Sequence, residues 1–139
     1  MKLLFAFLLG VVALTNTATT FEVVESSTNK EAIKKNQKVE KSEILIRNTA
    51  NEPVQLGWKR KSNTLLEEWD YSVCAYGECS IGVPGKGKFK ALEAGEEAFF
   101  ALHLFPRKKT GNGKLEIEIY DLAHPDLSEI LTFIVEVTD

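Results

Sequence analysis

Two cysteines, two histidines and a few adjacent carboxylates are the residues of this chain whose types and spacing could do chemistry. Cys74 and Cys79 enclose Ala75-Tyr76-Gly77-Glu78, a spacing that a turn through Gly77 can close into a disulfide. A redox dithiol usually has two residues between its cysteines and sits at a helix start that lowers the thiolate pKa. Neither feature is evident here, so a structural disulfide is expected, with thiol redox or metal binding by Cys74 and Cys79 as the alternative. His103 and His124 fall on different elements and lack the paired spacing of a zinc or copper motif. Ser and Asp residues are present without a nucleophile elbow. Glu67-Glu68 and Glu96-Glu97 are sequence neighbours, which an extended chain points to opposite faces. No catalytic residue, cofactor or metal ligand is therefore nominated, and the chain is expected not to be an enzyme.

Binding is the other kind of chemistry the residues could support. Three basic runs, Lys59-Arg60-Lys61, Lys86 to Lys90 and Arg107-Lys108-Lys109, fall at strand ends or in loops, where such charges commonly serve solubility and edge protection. Gathered at one end, Lys86, Lys88, Arg107, Lys108 and Lys109 could hold an anionic glycan or a phosphate-bearing surface. Trp69, Tyr71 and Tyr76 near the cysteines could stack on a sugar, although Trp69 and Tyr71 alternate with polar neighbours as core residues do. These eight residues make up the candidate binding surface. Nucleic acid is not an expected partner. The chain carries 17 Lys and Arg against 20 Asp and Glu, and phosphate backbones call for a net basic face.

The elements that position these residues read as strands. Thr20 to Glu25, Glu43 to Asn48, Val54 to Trp58, Trp69 to Val73, Glu97 to Phe105, Leu115 to Asp121 and Ile130 to Val137 show the period-two pattern or continuous apolar runs of strands, and Phe89 to Leu92 makes a short further candidate. Ser26 to Lys38 reads as a loop because no apolar face recurs in it, and Gly82 to Gly87 as a glycine- and proline-bearing turn. Gly111-Asn112-Gly113 is expected to supply positive-φ residues for a tight connection. The segment Glu97 to Phe105 is apolar on both faces and should be central in its sheet. Seven or eight antiparallel strands with no helical period predict an all-β, immunoglobulin-like sandwich. Its core should include Trp58, Phe100, Leu102, Leu115, Ile117, Ile119 and Phe133.

The first residues predict export. Met1-Lys2 is a short positive start, Leu3 to Leu14 an apolar run, and Thr15 to Thr20 small and polar, which is the pattern of a cleavable signal peptide over residues 1–19. The apolar run is too short for a membrane span of about 20 residues, and no cysteine follows it for a lipid anchor. Residues 20–139 then form one domain, with no transmembrane segment after signal removal.

Trp69-Asp70-Tyr71-Ser72-Val73-Cys74 with Cys79, Leu92 to Glu96, His103 to Pro106, Gly111 to Gly113 and Tyr120-Asp121 together resemble the immunoglobulin-like domain of secreted proteins from bacteria with type IX secretion, in which a Trp precedes a cysteine pair four residues apart. The resemblance spans about Ile44 to Val137. It implies a fold and an extracytoplasmic location, and it brings no catalytic residues. Such proteins often end in a separate sorting domain, whereas this sequence stops at Asp139, so a periplasmic home is expected as readily as an extracellular one. The expected function is a non-enzymatic binding or structural module of the cell envelope or surface, whose partner is a protein or a glycan. The alternative is an accessory subunit of an envelope assembly, bound by an edge strand or by an apolar face bearing Phe99, Phe105 and Ile134.

Overall fold

A computed structural model describes residues 19–139; the expected signal peptide lies almost wholly outside the described residues. The described chain is all-β. Its ten strands are β1 (Phe21–Val24), β2 (Thr28–Lys34), β3 (Val39–Asn48), β4 (Leu56–Asn63), β5 (Asp70–Ala75), β6 (Glu78–Ile81), β7 (Lys86–Lys88), β8 (Glu97–Phe105), β9 (Gly111–Asp121) and β10 (Ser128–Thr138). They form two five-stranded sheets, β1-β3-β8-β5-β6 and β2-β10-β9-β4-β7. The apolar positions of the two inner faces meet between them, as two packed layers require.

The core follows the period-two pattern. Leu115, Ile117 and Ile119 of β9 are fully buried while Glu116, Glu118 and Tyr120 between them are half-buried on the outer face. Trp58, Phe100, Leu102 and Phe133 are buried as expected. Trp58 meets Phe100 edge-on at 5.2 Å between ring centroids, and Phe100 lies 5.9 Å from Phe133 across the two sheets. β8 is the middle strand of its sheet, paired with β3 and β5.

Three departures from the sequence reading have physical causes. Within Ser26 to Lys38, expected as a loop, Thr28–Lys34 forms an edge strand parallel to β10, so the sandwich is not wholly antiparallel. Its inward positions are Asn29, Glu31 and Ile33, all half-buried. A strand held by backbone pairing at an edge needs little apolar surface, and hydrophobic periodicity cannot reveal it. Within the glycine-rich turn, Lys86–Lys88 pairs with β4, where Gly87 lies opposite Trp58. A Cβ at Gly87 would stand 2.6 Å from the indole, so the missing side chain is what lets the short strand close over the ring. Finally, the tight turn between β8 and β9 is built by Pro106 to Lys109 rather than by Gly111 to Gly113, which already belong to β9. Gly113 is instead a close-approach position, where a Cβ would stand 2.8 Å from the Leu65 Cα.

Candidate functional site

The cysteines join strands β5 and β6. Cys74 and Cys79 are directly opposite in that hairpin, disulfide-bonded, with Cα atoms 4.0 Å apart. That close spacing marks a non-hydrogen-bonded pair of an antiparallel ladder. The register also places Cys74 beside Ala101 on the outer face of the sheet. Ala101 is 1% exposed although it points away from the core. On the same face Phe99 is covered by Tyr76, edge-on at 6.0 Å, and by the Lys41 ammonium 5.5 Å above its ring. The apolar second face of β8 is thus largely closed by its own neighbours. Ile134 does not share it. That residue lies on the outside of the opposite sheet, between Lys114 and Lys30 in register.

Phe105, at the end of β8, is left open. It is 51% exposed and stands between two grooves of about 760 and 520 Å³, both of which it lines. Val39, Glu40 and Lys41 border the first, Arg107 and Lys108 the second, and Asn36 and Gln37 both. The Lys38 ammonium lies 5.4 Å from the Phe105 ring centroid, near enough for a cation–π attraction.

The turn that follows is strained. Arg107 and Lys108 both have positive φ, 48° and 60°, and the Lys109 N–H donates to the Pro106 carbonyl at 2.9 Å. This is the pattern of a type I′ turn, ordinarily made by Asn and Gly. Each left-handed residue with a side chain costs on the order of 1 kcal/mol, so surrounding contacts must hold it. They do so through three contacts. The Lys108 N–H donates to the Lys35 carbonyl at 3.2 Å. The Arg107 guanidinium pairs with Asp70. The Trp69 indole N–H donates to the Lys109 carbonyl at 2.8 Å.

The candidate binding residues therefore separate. Trp69 is 2% exposed and its polar edge is taken by Lys109, so of the two readings its sequence offered the core one holds, and its candidacy as a stacking surface is corrected. Tyr71 is half-buried with its hydroxyl accepting from the Asn63 amide at 3.2 Å. Tyr76 packs against Phe99 and under Lys90. The basic runs do not converge. Lys86 and Lys88 pair with the first half of β4, opposite the last residues of β9, whereas Arg107, Lys108 and Lys109 precede the first residue of β9. The runs are displaced along the sandwich. Lys109 reaches Glu68 at 3.9 Å. Among the described residues Lys108 has no carboxylate within 4.0 Å.

The two histidines are also placed apart, with the buried acid Asp121 in the same turn as His124. His103 Nδ1 meets the Glu40 carbonyl in the β3 bulge, and since that oxygen only accepts, Nδ1 carries the proton. His124 is exposed in the β9–β10 turn at the other end. Asp121 is buried, with its carboxylate accepting from the Thr20 hydroxyl at 2.6 Å and the Ala123 N–H at 2.9 Å. Both oxygens are engaged in holding the start of β1 and the β9–β10 turn. Asn48, which no sequence pattern marked, is similar. It is 1% exposed, donates to the carbonyls of Glu52, Leu92 and Glu93, and accepts from the Ala50 N–H. Among the described residues no three His, Cys, Asp or Glu side chains are placed to share a metal ion, and no helix is long and apolar enough to cross a membrane.

No protein-family model matches the chain, and no curated protein matches it. Solved structures do. A human domain described as the ASH/PapD-like domain of CEP192 superposes with a TM-score of 0.57 at 13% identity, covering 100% of this chain and 99% of its own. The N-terminal domain of PorA gives 0.53 at 11% identity over 86% of this chain and 96% of its own. A family 123 glycoside hydrolase from Clostridium perfringens gives 0.51 at 15% identity, with 81% of this chain covered but only 23% of the enzyme. At these identities the likeness concerns the fold alone, which is an immunoglobulin-like sandwich.

Proposed function

We propose that this chain is an exported, non-enzymatic binding module of the cell envelope or surface, and that it engages its partner through the end of the sandwich bearing Phe105, Arg107 and Lys108. The observation that carries the reading is the type I′ turn. Two non-glycine residues at positive φ are held by three contacts from two segments, Lys35 and Trp69-Asp70, beside an exposed aromatic ring, and strain kept in this way is characteristic of sites selected for recognition. Export is supported by the signal-peptide pattern and by a cross-strand disulfide that would not persist in a reducing cytosol. The resemblance to the immunoglobulin-like domains of type IX-secreting bacteria supports the same compartment. Absence of catalysis is supported by the engagement of Asp121 and His103 in structural hydrogen bonds.

The test compares wild type with Phe105→Ala and Lys108→Glu, each immobilised against an extract of the native envelope and applied to a glycan array. The expected result is a ligand that wild type retains and both variants lose, with melting temperatures unchanged. Turnover of any substrate that depends on His103 or Asp121 would overturn the non-enzymatic reading.

A further inference from the structure

Each sheet has two edges, and the four edge strands differ in how they are protected. β2 carries charged residues along its length, and β7 has Lys86 and Lys88 in three residues. On β1, Glu22 is held by Arg47 at 3.1 Å. Charged side chains on an edge discourage further strand pairing. β6 differs. Its last residue, Ile81, is 97% exposed, the most exposed large hydrophobic side chain among the described residues.

The backbone of β6 is equally open. Because Cys74 and Cys79 form a non-hydrogen-bonded pair, the N–H and C=O of Cys79 point away from β5, and alternation gives Ile81 the same orientation. The disulfide fixes this edge in register, so a strand added to it would meet donors and acceptors already in place. Alongside runs β7. Lys86 and Lys88 line a narrow cleft of about 40 Å³ together with Glu78 and Ser80 of β6. Among the described residues neither lysine has a carboxylate within salt-bridge distance, and Lys90 follows over Tyr76. Glu78 is the only carboxylate among the residues that line this cleft.

We infer that the free edge of β6 accepts an extended, acidic segment of a partner protein as an added strand, pairing with Cys79 and Ile81 and placing an apolar side chain against Ile81. Backbone pairing would supply the affinity, while Ile81 and the lysines of β7 would select the sequence. This surface is separate from the Phe105 end, and its test is independent of it.

The experiment titrates isotopically labelled full chain with a short synthetic peptide of alternating Val and Glu, following amide shifts and hydrogen exchange. A matching peptide of alternating Val and Lys is the control. The expected result is slowed exchange at the Cys79 and Ile81 amides with the acidic peptide only. Ile81→Pro, which removes an outward N–H without breaking a bond to β5, should weaken binding about tenfold. The Lys86→Glu, Lys88→Glu pair should weaken it to a similar degree, with a reduced salt dependence. If the proline variant does not fold, Ile81→Glu keeps the backbone and should repel the acidic strand. Protection at β1, β2 or β7 instead, an equal response to the basic peptide, or no shift at millimolar peptide would overturn the inference.

Discussion

At residue scale, the disulfide and the tryptophans show how unequally side chains declare their roles. Two cysteines separated by a Gly-containing tetrapeptide left one structural pairing, and it forms. A closed loop of about six residues should stabilise by about 2 kcal/mol in the chain-entropy model. The Cys74→Ala, Cys79→Ala double variant should therefore still fold, with a melting temperature lower by several degrees and faster amide exchange in β5 and β6, measurable by calorimetry and NMR. Unaltered stability would mean that the bond does not constrain the unfolded chain as supposed. Trp69 was harder to read, because its alternation fits the core while its place before the cysteines fits a binding platform. Only the placement of Lys109 settles its indole N–H. A second residue-scale prediction concerns Asp139, whose carboxyl is held below its ordinary pKa by a hydrogen bond from Lys35 and, after it, by the ammonium charge. A lowered folded-state pKa makes the contribution present at pH above the ordinary carboxyl range and lost as pH falls through the lowered value. In a pH titration by NMR, Asp139 should protonate below the ordinary range, and Lys35→Met should return it there. An unshifted wild-type titration would show that the ion pair is absent in solution.

At the scale of elements, strands with a strong apolar signature were legible and strands held by their surroundings were not. β8 and β9 could be located from alternation and composition alone, and their inward residues are the core. β2 has a largely polar sequence and exists because β10 offers it an unpaired edge. β7 depends on one missing side chain. Gly87→Ala should drive a methyl into the Trp58 indole and destabilise the fold by about 1 to 3 kcal/mol, as overpacking does. Denaturant unfolding checks this, and a matched Gly85→Ala, where a Cβ meets nothing within 4 Å, should cost much less. Equal costs at the two positions would show that β7 does not seal Trp58. The type I′ turn escaped notice for a related reason. Arg-Lys carries none of the Asn-Gly signature of such turns, so its conformation is imposed by Asp70, Lys35 and Trp69, residues distant in sequence.

At the scale of the whole molecule, the fold class was written in period-two patterning, while the site was not. Phe105 read from sequence as one member of an apolar face. In three dimensions Tyr76, Lys41 and the neighbours of Ala101 close that face and leave Phe105 alone at its end, beside a turn bearing three cations. No sequence motif encodes that juxtaposition, because it depends on where β2 and β8 end and β5 begins. The most direct test is site-specific photo-crosslinking in the native cell, with a photoreactive phenylalanine analogue in place of Phe105 or, as control, of Ile130, which is 39% exposed on the outside of the opposite sheet. A discrete envelope component crosslinked from position 105 and not from position 130 is the predicted result. No crosslink from position 105, or the same products from both positions, would contradict a partner docked at the Phe105 end.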